Sequence, residues 1–93
     1  MDVDDIRHVV RKLKINAPDM SLEAHLHLAA LSSHAGKLSR AITRLERDRS
    51  DPAAKAEAAR QCGAALLVLA SIAENHDLGL ETSIRLGETE LEE

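Results

Sequence analysis

Apolar residues recur along this chain in blocks at intervals of three and four, the spacing that predicts helices. Ile6, Val9, Val10 and Leu13 form the first stripe and predict a helix over about 3–14. Asp2 is placed to cap it, Asp4 and Asp5 suit the positive end of its dipole, and Arg11, Lys12 and Lys14 suit the negative end. Asn16-Ala17-Pro18-Asp19 interrupts the pattern, because Pro18 disfavours helical geometry at Ala17.

A second, long helix is expected over about 21–49, capped by Ser21 or Asp19 with Glu23 in its first turn. Ala24, Leu28, Leu31, Ala35, Leu38, Ile42 and Leu45 alternate by four and three, the seam of helix-on-helix packing. Leu22, Leu26, Ala29 and Ala30 widen that face, so the start is expected to be more buried, and the charged end from Arg44 to Arg49 to project into water. Ser50-Asp51-Pro52 then marks a sharp start for a third helix over about 52–75, with Asp51 at the cap and Pro52 in the first helical position. From Cys62 to Ala73 only Ser71 is polar, and a helix apolar on all sides is expected to be buried on all sides. The run is shorter than the roughly 20 residues that span a bilayer. His76-Asp77-Leu78-Gly79 reads as a turn into a short fourth helix over about 80–86, with Ile84 and Leu86 as packing residues. Gly87 weakens that helix, and the acidic tail 87–93 is expected to fray. The reading is one all-α domain over 1–93, a four-helix bundle.

Composition sharpens this. The 93 residues include no Phe, Trp or Tyr, so the core must be built from Leu, Ala, Ile and Val. A small chain with slim core residues buries little apolar surface alone, and one subunit can hardly surround the third helix. Completion of the bundle by a homo-oligomer, a dimer or tetramer, is therefore expected, with Leu28, Leu31, Leu38, Ile42, Leu66, Leu69 and Ile72 carrying the packing. The net charge of −4 does not favour nucleic acid. Cys62 is the single cysteine, which excludes an intrachain disulfide and a cysteine-based zinc site and reads as a small buried hydrophobe. Met1-Asp2-Val3-Asp4-Asp5 has no apolar run behind it, so the expectation is no signal peptide, no membrane and a cytoplasmic protein.

Two segments carry a resemblance: Ser33-His34-Ala35-Gly36-Lys37-Leu38 and Gln61-Cys62-Gly63-Ala64-Ala65-Leu66. With the order of helices around them, and with Asp77-Leu78-Gly79-Leu80-Glu81 as the turn into the last, the chain from roughly Asn16 to Leu86 resembles the MazG-like family of all-α NTP pyrophosphatases. The resemblance implies a Glu-x-x-Glu pair on the first long helix and a Glu-x-x-Asp pair on the next, which hold magnesium for attack between α- and β-phosphates. Those four positions hold His34, Lys37, Gln61 and Ala64 here. Magnesium demands hard oxygen ligands, so no catalytic residue, metal or cofactor is assigned. Glu46, Glu57 and Glu74 lie out of register to replace the missing acids.

Ser33, Lys37, Arg40, Arg44 and Arg47 share one side of the second helix, with Arg60 able to approach from the third. This is either a solvated face or an anion site, for which Lys37, Arg40, Arg44 and Arg60 are the candidates. The five histidines have no zinc spacing and read as structural or surface residues. The expected function is that of an inactive MazG-like protein, an oligomeric interaction or regulatory subunit that pairs with itself, another protein or an active relative. The alternatives are a divergent nucleoside triphosphate pyrophosphohydrolase and a metal-free nucleotide or anion binder.

Overall fold

The computed structural model describes residues 1–16 and 24–92, with the side chains of 14–16 and 24–26 outside the description. The expected Pro18 turn, the Ser21 or Asp19 cap and the contributions of Leu22, Ala24 and Leu26 fall outside the described residues. Four helices are present: α1 (Val3–Asn16), α2 (Ala24–Arg47), α3 (Pro52–Asn75) and α4 (Leu80–Glu92). No strand occurs among the described residues, and the fold is an all-α helical bundle.

The helix ends follow from local chemistry. Asp2 and Asp5 form a reciprocal box, with the Asp5 N–H donating to Asp2 Oδ1 at 3.0 Å and the Asp2 N–H donating to Asp5 Oδ2 at 2.9 Å. Asp51 caps α3 by accepting from the Ala54 N–H at 3.1 Å, with Pro52 opening the helix. The α2–α3 connection is tightened by Ser50, whose N–H and hydroxyl both donate to Asp48 Oδ1, at 3.0 and 2.7 Å. That pair of bonds holds the Asp48 carboxyl below the ordinary aspartate range. α3 ends in a Schellman motif: the Leu78 N–H reaches the Ala73 carbonyl at 3.0 Å and the Asp77 N–H reaches that of Glu74 at 3.3 Å. This geometry puts Asp77 in the left-handed region at φ 55°, with Gly79 at φ 75° in the same turn.

α3 is the hub. It packs along α2 most extensively, less along α1, and least along α4. An ion pair from Arg11 Nε to Glu74 Oε1 at 3.2 Å ties α1 to the far half of α3. The buried apolar residues are Val10, Ala41, Ala54, Ala58, Val68, Ala70 and Ala73. Small residues dominate because they let helix axes approach closely.

The sequence expectations need four corrections. The expected seam of α2 is displaced in part: Leu28, Ala35 and Ile42 are exposed, whereas His27 and Ala41 are buried. α4 does not stop at Leu86; it continues through Gly87 to Glu92, so the residues expected to fray are helical through Glu92. Cys62 is exposed rather than buried. The stretch from Cys62 to Ala73 is buried on only part of its circumference: Val68, Ala70, Ser71 and Ala73 are covered, whereas Leu66 and Leu69 face outward.

Candidate functional site

Two surfaces stand out, on different parts of α3. The first contains His34, Lys37, Gln61 and Ala64, the positions that the resemblance assigns to metal-binding acids. The structure brings two of them together: His34 of α2 and Gln61 of α3 meet with Nδ1 2.7 Å from Oε1. An amide oxygen only accepts, so in this arrangement His34 Nδ1 carries the proton. The Gln61 amide nitrogen donates in turn to Glu57 Oε1 at 2.8 Å, and Glu57 Oε2 accepts from Arg60. The hydrogen bond from Gln61 and the charges of Arg60 and Lys37 hold the Glu57 carboxyl below the ordinary glutamate range.

Glu57, out of register as a metal ligand, nonetheless belongs to this surface. It sits one turn before Gln61, and the i,i+4 pairing of a carboxylate with an amide was the available signal. Lys37 lines the same surface, whereas Ala64 is half-buried and offers only a methyl group. An imidazole N–H, an ammonium, an amide and a methyl are not a hard anionic oxygen set, so these four positions do not fit magnesium. Among the described residues no three His, Cys, Asp or Glu side chains converge as a metal site. Of the other histidines, His8 and His76 are exposed and His27 is buried, while the His25 side chain lies outside the described residues.

Beside the relay lies a groove of about 680 Å³, lined by Lys37, Arg40, Arg44 and Arg60 with Ala53 and Ala56. All four candidate anion-binding residues therefore meet in one place, drawn from two helices. Ser33 and Arg47, also on the basic side of α2, are exposed but do not line the groove.

The second surface is an apolar cleft of about 610 Å³ where α1, α3 and α4 meet. Ile6, Leu66, Leu69, Ile72, Leu78 and Ile84 face it. Leu66 is 61% and Leu69 48% exposed, and Ile84 is 53% exposed. Gly63 lines the same cleft, and a methyl placed on it would meet nothing within 4 Å, so the α3 backbone itself is open to approach. Of the residues expected to form an oligomer core, Leu66, Leu69 and Ile72 line this cleft. Leu28 and Ile42 on α2 are exposed elsewhere, and Leu31 and Leu38 are half-buried.

Comparison with protein-family models, with curated proteins and with solved structures finds no significant match to this chain.

Proposed function

We propose that this chain is a MazG-like helical protein without metal-dependent chemistry, acting as an oligomeric interaction or regulatory subunit in the cytoplasm. A second copy seats in the apolar cleft of α1, α3 and α4. The observation that carries this reading is the outward-facing Leu66 and Leu69 at the centre of the cleft. Among the described residues, no leucine or isoleucine is fully buried within the single chain. The large apolar side chains are thus left for a surface outside the chain, and contiguous apolar exposure of this kind marks an interface. A second copy suits the cleft because it presents the same self-complementary leucines, as a twofold interface requires. The non-enzymatic part rests on the chemistry of His34, Lys37, Gln61 and Ala64, which supply no carboxylate.

Sedimentation velocity tests the assembly. The wild-type chain is expected to run as a dimer or larger, and Leu66→Ser with Leu69→Ser as a helical monomer by far-ultraviolet circular dichroism. A wild type that stays monomeric at high concentration overturns the reading. Pyrophosphate release from nucleoside triphosphates with magnesium or manganese would overturn its non-enzymatic part.

A further inference from the structure

We infer that the groove between α2 and α3 binds a chain of phosphates directly, without a metal ion. The protein carries a net charge of −4, yet four cations converge here and Glu57 is the one acid among the described residues that line the groove. Concentrating one sign of charge in a concave surface focuses its field on an oppositely charged ligand. The groove shares no lining residue with the apolar cleft, so the inference stands independently of the assembly.

The spacing of the cations selects the ligand. Lys37, Arg40 and Arg44 fall at i, i+3 and i+7 along α2, a span of about 10 Å at the helical rise. A single phosphate reaches one or two of them, whereas a string of phosphates reaches all three and Arg60 opposite. Guanidinium forks pair with phosphate oxygens two at a time, and three of the four cations are arginines. Ala41, Ala53 and Ala56 make a floor of methyl groups that holds no bulky side chain against the anion. The volume of about 680 Å³ lies within the usual range of small-ligand sites.

Two of the cations already have partners. Arg60 pairs with Glu57, and Arg44 reaches Asp51 at 3.5 Å. Lys37 and Arg40 have no ion-pair partner among the described residues. Glu57 is therefore an internal counter-ion: a phosphate entering the groove competes with its carboxylate for Arg60 and for the field of Lys37. The relay through Gln61 to His34 keeps Glu57 oriented toward that role.

Calorimetry of the full chain with sodium tripolyphosphate, in EDTA and at low salt, tests this. One-to-one binding that weakens as salt rises is expected. Lys37→Glu with Arg40→Glu should weaken it at least about tenfold, since two attractions become two repulsions. Glu57→Gln should tighten it about two- to fivefold by releasing one surface ion pair. A parallel titration with a nucleoside triphosphate, also in EDTA, distinguishes free polyphosphate from a nucleotide as the source of the phosphates; tighter binding of either supports the site. Circular dichroism verifies that each variant is helical, and Lys37→Ala with Arg40→Ala is the milder substitute if the charge reversal unfolds. The inference is overturned if wild type binds neither probe, if it binds only with magnesium, or if the charge-reversed variant binds equally well. Tighter binding by an acidic peptide of the α4 sequence than by either probe would also overturn it, because the groove would then dock protein.

Discussion

His34 and Gln61, on different helices and 27 positions apart, are joined by a 2.7 Å hydrogen bond that locks α2 to α3. Gln61 is 7% exposed and uses both ends of its amide, accepting a hydrogen bond from His34 and donating one to Glu57. Gln61→Leu keeps the volume and removes both bonds. It should destabilise the chain by about 1–2 kcal/mol, since a partly buried imidazole N–H loses its acceptor. Urea unfolding followed by far-ultraviolet circular dichroism measures this, and an unchanged midpoint would remove the relay from the account.

The Glu57 carboxyl has a pH signature. Its folded-state pKa lies below the ordinary value, chiefly through the Gln61 hydrogen bond and then through Arg60 and Lys37. Its stabilising contribution is therefore present above the unfolded-state pKa and is lost as pH falls through the folded one. Melting temperature should drop across the acid range in wild type, and Glu57→Gln should lower it at neutral pH, where the carboxylate stabilises the fold, so that less is lost on acidification. Equal acid slopes in the two proteins would contradict the assignment.

Both ends of α3 can be tuned. Asp51→Ala removes the acceptor for the Ala54 N–H and should cost about 1 kcal/mol. Asp77 occupies the left-handed position of the Schellman motif, at φ 55°, which glycine adopts without a Cβ penalty. Asp77→Gly is expected to be neutral or stabilising by up to about 1 kcal/mol, the relief of the left-handed strain being partly offset by greater freedom of the unfolded chain. Thermal melts of the two variants should move apart, Asp51→Ala downward and Asp77→Gly level or upward.

Ser71 is 0% exposed, and among the described residues its hydroxyl has no hydrogen-bond partner. Ser71→Ala removes a buried polar group that gains nothing in return and restores the best helix former. Stability should rise by about 1 kcal/mol. A fall of similar size would mean that the hydroxyl is bonded.

Much of the fold was legible because helix signals here are local. Asp51-Pro52 and the break at His76-Asp77-Leu78-Gly79 carry their own stereochemistry, whereas the α2 seam was legible only in part: Leu31, Leu38 and Leu45 are half-buried, but Leu28, Ala35 and Ile42 are exposed while His27 and Ala41 are buried. What escaped depends on distances between helices. The run from Cys62 to Ala73 is apolar all round, so periodicity could not tell which sector α2 and α1 cover; the leucines were expected inside, and alanines took the inner places. Gly87 carries a helical penalty of about 1 kcal/mol relative to alanine, and the good helix formers around it outweigh that cost through Glu92. Of the site, the basic residues were visible in the sequence, but the placement of Glu57 among them depends on how α3 is rotated against α2.

The alanine contacts between α2 and α3 have an evolutionary and engineering corollary. Ala41, Ala54 and Ala58 are already near the smallest side chain available, so the seam cannot be loosened by trimming and can be altered only by enlargement. A longer side chain there wedges the helices apart, and the same wedge would separate His34 from Gln61 and spread the cations that line the groove. Sequence drift at three methyl groups would thus reach the charged surface without touching a single charged residue.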